Sequence, residues 1–147
     1  INYQNISIFN FFIMANKETI ISVCITCKDD KESILKTRGG KRLSEEVLSK
    51  IKKIDNIKFR EVSCMSQCKR ACVFSITAEN CFTYVFGDID PCKKSYLDEL
   101  INLISIYSSS EEGFMRRRDR PEIFRSNILG RLPPINTRSK LVSYIKV

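Results

Sequence analysis

The spacing of apolar residues changes several times along the chain, and each change marks an element. Thr19 to Val23 (Thr-Ile-Ile-Ser-Val) is short and β-branched, which predicts a buried strand running straight into Cys24. A polar stretch ending in the Gly39-Gly40 turn follows. Leu43, Val47, Ile51 and Ile54 then recur at helical spacing with Leu48 beside them, and Lys and Glu fill the other face. This predicts an amphipathic helix of about four turns. Ile57 to Ser63 reads as a second strand and again leads into a cysteine, Cys64. Cys72 to Ala78 and Phe82 to Phe86 alternate, with Glu79-Asn80-Cys81 between them, the signature of a β-hairpin. Asp90-Pro91 offers a helix cap and a first-turn proline, and Leu97, Leu100, Ile101, Ile104 and Tyr107 form the apolar stripe of the helix it opens.

The order is strand, helix, strand, strand, strand, helix. Strands joined through a helix are normally parallel, and the hairpin adds two antiparallel strands. The expected fold class is therefore α/β, thioredoxin-like, with a mixed four-stranded sheet (β-α-β-β-β-α). Residues 14–109 form the expected domain. Residues 110–147 are expected to be a basic, largely irregular extension. At the other end, Ile8 to Met14 is apolar but lacks the basic start and small-residue cleavage site of a secretory signal. Met14 is the expected start and residues 1–13 an upstream segment outside the fold. No apolar run approaches the roughly 18 residues of a membrane span.

Composition narrows the chemistry. With 43% hydrophobic residues and only five Gly and four Pro in 147 residues, low-complexity disorder is excluded. A chain of this length buries about 70% of its unfolded surface, enough for a core without disulfides. The seven Cys therefore need another explanation, and a reducing, cytoplasmic setting makes them metal or redox groups before disulfides. The absence of His removes His-ligated metal sites, Cys/His proteases and Ser-His-Asp hydrolases. The net charge of +8 is uneven: the last 38 residues hold nine Lys/Arg against four acids. Arg116 to Arg120 has no recognition helix, zinc finger or aromatic-interleaved sheet motif with it, which favours an acidic protein partner over nucleic acid.

Five thiols fall in two segments, Cys24-Ile-Thr-Cys27 and Cys64-Met-Ser-Gln-Cys68-Lys-Arg-Ala-Cys72. Both segments begin at strand ends, so neighbouring parallel strands would bring them to one sheet edge. Cys24, Cys27, Cys64 and Cys68 then suit an Fe–S cluster or a structural zinc ion, with Cys72 in reserve. Lys28, Lys69 and Arg70 would offset the negative charge of such a centre. A dithiol redox site at Cys24 and Cys27 is the competing reading, although it leaves three thiols unexplained. Cys81 and Cys92 read as packing residues. Gly39-Gly40-Lys41-Arg42 reads as a turn and Asp88 with Asp90 as structural carboxylates.

Cys24 to Cys27, Gly39-Gly40, Cys64 to Cys72, Tyr84 to Pro91 (Tyr-Val-Phe-Gly-Asp-Ile-Asp-Pro), Arg120 to Arg125 and Leu132-Pro133-Pro134 together carry a resemblance over about Ile20 to Pro134. The chain resembles a bacterial family of predicted metal-binding proteins, a domain of unknown function related to thioredoxin-like [2Fe–2S] ferredoxins. In those ferredoxins the first ligand follows the first strand and a later pair is spaced Cys-x3-Cys, which maps onto Cys24, Cys64 and Cys68. Their second ligand lies about a dozen residues after the first. Ile34 to Arg38 contains no Cys, so Cys27 would take that place. The resemblance implies a [2Fe–2S] cluster, with zinc as the alternative metal, in an electron-transfer or metal-carrier protein rather than an enzyme. The basic C-terminal residues point to an acidic protein redox or metal-transfer partner, the lack of a long apolar run to no membrane, and a homodimer is the self-association to consider.

Overall fold

The structure, a computed structural model, describes residues 17–147. The expected upstream segment 1–13 and the start at Met14 lie outside the described residues. In chain order the elements are β1 (Thr19–Cys24), α1 (Glu32–Leu35), α2 (Gly39–Ile51), β2 (Ile57–Val62), β3 (Phe74–Ala78), β4 (Thr83–Phe86), α3 (Lys94–Ser109) and β5 (Ile128–Leu132), with short 3-10 turns at 68–70, 117–119 and 122–124. The sheet order is β2-β1-β3-β4-β5, with β1 and β2 parallel and the other pairings antiparallel.

Strand alternation divides the sheet into two chemically different faces. Ile21, Val23, Phe74, Ile76, Tyr84 and Phe86 share one face, and all are 1% exposed or less. Leu43 and Val47 of α2, Leu97 and Leu100 of α3, and Phe124 converge there around Phe74. The other face carries Ser22, Arg60, Thr77 and Thr83. Arg60 Nε donates to Ser22 Oγ at 2.9 Å, and the two threonine hydroxyls meet at 2.6 Å. A hydrophobic-in, polar-out pattern of this kind suits a largely antiparallel sheet covered on one side. No helix among the described residues is long and apolar enough to cross a membrane.

The architecture corrects three expectations. The sheet has five strands, not four, because Ile128–Leu132 adds an edge strand beside β4. The stretch leading to it is not an irregular appendage: Met115 and Phe124 are 1% exposed, and the Tyr84 hydroxyl accepts from Met115 N–H at 2.7 Å. Without this segment β4 would be an open edge, which folded proteins cover. Gly130 and the nearby prolines weaken the strand signal in the sequence. Second, Asp90-Pro91 does not cap α3. The helix begins at Lys94, and Asp90 Oδ1 instead accepts from Cys92 N–H at 2.9 Å in a preceding turn. Third, Gly39 and Gly40 belong to the first turn of α2 rather than to the loop before it.

Candidate metal centre

The site is built where β1 ends between two neighbours. Cys24 pairs with Val62 at the end of parallel β2, and the ladder continues as Ile25 N–H donates to Val62 O at 2.9 Å. The Thr26 hydroxyl then donates to Ser63 O, one residue before Cys64. On the other side Cys24 N–H donates to Val73 O at 3.0 Å, one residue after Cys72. Cys72 is held in turn by two backbone bonds with Ile89, each 3.1 Å. Cys24, Cys64 and Cys72 therefore come from three adjacent chain segments at one edge of the sheet.

The 24–27 loop is clamped from below by α2. Gly40 N–H donates to Cys27 O at 3.0 Å, and a Cβ at Gly40 would lie 2.0 Å from Cys24 O. Only glycine permits that approach. Arg38 Nη1 holds Thr26 O at 3.0 Å. Immediately beyond Cys27, Arg42 grips Asp29 with bonds of 2.5 and 3.0 Å, a bidentate pair that holds the Asp29 carboxyl down to about pKa 2. Glu32 accepts from the Asp29 and Gly39 N–H groups at 3.2 and 3.1 Å, closing the network.

Three of the thiols are enclosed: Cys24, Cys27 and Cys72 are 3%, 2% and 0% exposed, whereas Cys64 and Cys68 are exposed. Burial is the largest influence on Cys24 and pushes its thiol up. It is outweighed by hydrogen bonds from the Thr26 hydroxyl, the Cys27 thiol and the N–H groups of Met65 and Thr26, so the net shift is down. Burial pushes Cys27 up to about 12, reinforced by the neighbouring Cys24 and Cys68 sulfurs, while Val73 N–H works against it. Burial, followed by the charges of Cys27 and Asp29, lifts Cys72 to about 12 as well. Cys64 Sγ accepts from Ser66 N–H at 3.3 Å. Sulfurs on both loops thus receive backbone N–H bonds, the interaction that stabilises thiolate ligands and tunes cluster potentials.

Among the described residues, the group of three or more metal-ligating side chains whose ligand atoms all lie within 4.8 Å of one another is Asp29, Asp90 and Cys92. Sequence spacing does not point to it. Its charges are already matched, with Arg42 on Asp29 and 3.6 Å from Cys92 Sγ, and Lys31 3.6 Å from Asp90. The five clustered thiols form no such three-sulfur group. A tetrahedral zinc centre with Zn–S bonds of about 2.3 Å brings all four sulfurs to about 3.8 Å of one another, whereas a [2Fe–2S] cluster takes its ligands two per iron. Cys24 and Cys27, close enough that each shifts the other's titration, fit one such half.

The sequence motifs did not reveal the supporting residues. Thr26, Met65 and Val73 act through hydroxyl or backbone groups, which leave no residue-type signature. Arg42 and Asp29 lie 13 positions apart with nothing in composition to pair them. Gly39-Gly40 is the available signal, and it serves close approach rather than a turn, Gly40 against the Cys24 carbonyl and Gly39 against the Asp29 side chain.

No curated protein matches the chain in sequence. Two solved structures of a thioredoxin-like [2Fe–2S] ferredoxin from Aquifex aeolicus are similar: one has TM-score 0.49 and 15% identity over 82% of this chain and 98% of that one. The other has TM-score 0.46 and 11% identity over 78% and 98%. A family model, "Protein of unknown function (DUF1636)", matches residues 21–134, from within β1 through β5, and includes all five clustered cysteines. On that match the chain belongs to the DUF1636 family.

Proposed function

We propose that the chain is a small metal-binding protein of thioredoxin-like architecture that holds a [2Fe–2S] cluster through Cys24, Cys27, Cys64 and Cys68. Cys72 is a buried reserve thiol in this reading. The role is electron transfer or the carrying of a cluster or metal in the cytoplasm, where thiols stay reduced. The observation that carries it is the convergence of two cysteine loops at the end of β1, where Cys24 pairs with Val62 two residues before Cys64 and Cys64 Sγ accepts from Ser66 N–H. The parallel β1–β2 crossover beside an antiparallel β3–β4 hairpin supports the architecture.

A bound [2Fe–2S] cluster would supply one-electron transfer. The chain's own residues supply the rest. Cys24 and Cys27 sit in a loop fixed by α2, so that half is positioned before metal arrives. Cys64 and Cys68 lie at the surface, where ligand exchange with a donor or acceptor is accessible. The depression of about 720 Å³ at Cys68 is lined by Lys28, Lys31, Arg38 and Lys69 together with Asp29, Asp30, Asp88 and Asp90, a mixed-charge rim; the acidic partner of this reading would dock on the basic segment after α3. No acid–base or substrate machinery is required, consistent with a carrier rather than an enzyme.

Zinc on the same ligands is the alternative. A thiol–disulfide oxidoreductase is favoured by one observation, the lowered Cys24 and raised Cys27 in contact with each other. Against it, Cys24 is 3% exposed and no helix starts at the pair. Anaerobic purification with a visible spectrum and metal analysis tests all three. Brown protein with about two iron and two sulfide per chain is expected. One zinc in colourless protein would replace the cluster reading. Metal-free protein whose disulfide reductase activity disappears in Cys24→Ser would establish the oxidoreductase.

A further inference from the structure

Arg120 lies far from satisfied for a charge so deeply placed. It is 7% exposed, and its Nε is enclosed with no hydrogen-bond partner. Among the described residues no carboxylate forms an ion pair with it. A buried charge without a partner is costly, and such groups are normally paired or hydrogen-bonded.

Its surroundings add positive charge instead of cancelling it. Arg125 donates from Nε to the Arg120 carbonyl at 3.1 Å and from Nη2 to the Arg118 carbonyl at 3.3 Å. Arg117 Nη1 donates to the Arg125 carbonyl at 2.8 Å. Arg131 lies over the Phe114 ring at 4.2 Å and stands opposite Tyr84 in the β4–β5 register. These contacts fix the guanidinium groups of Arg117, Arg125 and Arg131 with backbone oxygens and a ring, and neutralise none of them. The segment's ion pairs go elsewhere: Asp119 takes Arg116 at 2.6 Å and Arg118 at 3.9 Å. An open depression of about 430 Å³ is lined by Arg116, Arg117, Arg118 and Arg125 alone. Burial is the largest influence and disfavours the Arg120 charge; Tyr84 comes next and favours it, and Arg117, Arg131 and Arg125 then each disfavour it.

We propose that the depression lined by Arg116, Arg117, Arg118 and Arg125, with the buried Arg120 charge in the same segment, is a binding site for a multiply charged oxyanion of the phosphate class. Planar guanidinium groups match such oxygens with paired N–H bonds, and several rigidly held cations favour a dianion over a single carboxylate. The site shares no residue with the cysteine edge and does not depend on what metal that edge holds.

The test is calorimetric titration of inorganic phosphate into the full chain at constant ionic strength, with thermal unfolding alongside. Saturable binding at one site per chain is expected, with an unfolding midpoint that climbs as phosphate rises. Arg120→Gln should weaken binding severalfold, because it removes a positive charge from the segment that carries the depression. Arg117 is exposed, so Arg117→Gln should fold normally and still weaken binding severalfold, which keeps the test decisive if Arg120→Gln is unstable. Lys52→Gln, in the turn after α2, should leave it unchanged. The proposal is overturned if chloride at equal ionic strength has the same effect, if Arg117→Gln binds like the parent chain, or if a hexaglutamate peptide saturates the surface while phosphate does not.

Discussion

The two cysteine loops carry the same chemistry on different supports. The 24–27 loop is locked, with its carbonyls gripped by Arg38 and Gly40, its exit fixed by the Asp29–Arg42–Glu32 network, and both thiols buried. The 64–68 loop is exposed, anchored mainly where Arg70 meets Asp88 at 2.9 Å and where Met65 N–H reaches Cys24. One half of the centre is thus set by folding, and the other is available to close on it. In the proposed carrier this division would be useful: a rigid half would retain the metal and an accessible half would admit and release it.

The comparison can be broken most strongly at Gly40. In Gly40→Ala the new Cβ meets the Cys24 carbonyl, a backbone atom that cannot move aside. A loss of about 3 kcal/mol or more is expected in chemical denaturation, with loss of metal binding. Next in size is Arg42→Met, which leaves Asp29 and Glu32 without their partner. It should cost about 2 kcal/mol and loosen the locked loop, read as faster amide exchange at residues 25–30. Cys64→Ser should separate the two halves: metal retention falls sharply, while the stability of metal-free protein changes by less than about 0.5 kcal/mol. Equal destabilisation by Cys64→Ser and Cys24→Ser would contradict the division. Alkylation of the metal-free chain sharpens it further, since mass spectrometry should find Cys64 and Cys68 modified well before Cys24, Cys27 and Cys72, and all five protected when metal is bound. The smallest effect belongs to Lys41→Gln, which removes the exposed 2.7 Å pair with Glu61 at the outer edge of β2 and should leave metal binding unchanged.

The locked loop was partly legible in the sequence. Thr19 to Val23 announces a strand by its β-branched run, and that strand delivers Cys24 to the sheet edge. The amphipathic spacing of Leu43, Val47 and Ile51 announces the helix that supports it. Gly39-Gly40 is visible too, but its meaning is not, because the need for glycine comes from a carbonyl 16 positions away in the chain. The same holds for Arg120. In the sequence it is one of several arginines in a basic run; in the structure it is a buried guanidinium without a counter-ion. The strand at Ile128–Leu132 also escapes a local reading, since its pairing is decided by the open edge of β4 rather than by its own weak propensity.

Local physics is enough to determine what the residues of one segment do to each other. It sets the periods that make β1 to β4, α2 and α3, the cysteine spacings that lie within one loop, and the absence of histidine chemistry. Tertiary structure decided everything that depends on two segments meeting: the fifth strand, the glycine beneath Cys24, the sharing of hydrogen bonds among thiols from different loops, and the gathering of Asp29, Asp90 and Cys92. The physical reason is range. Propensity and periodicity act over a few residues, whereas burial, desolvation and ion pairing depend on neighbours that only the packed chain supplies.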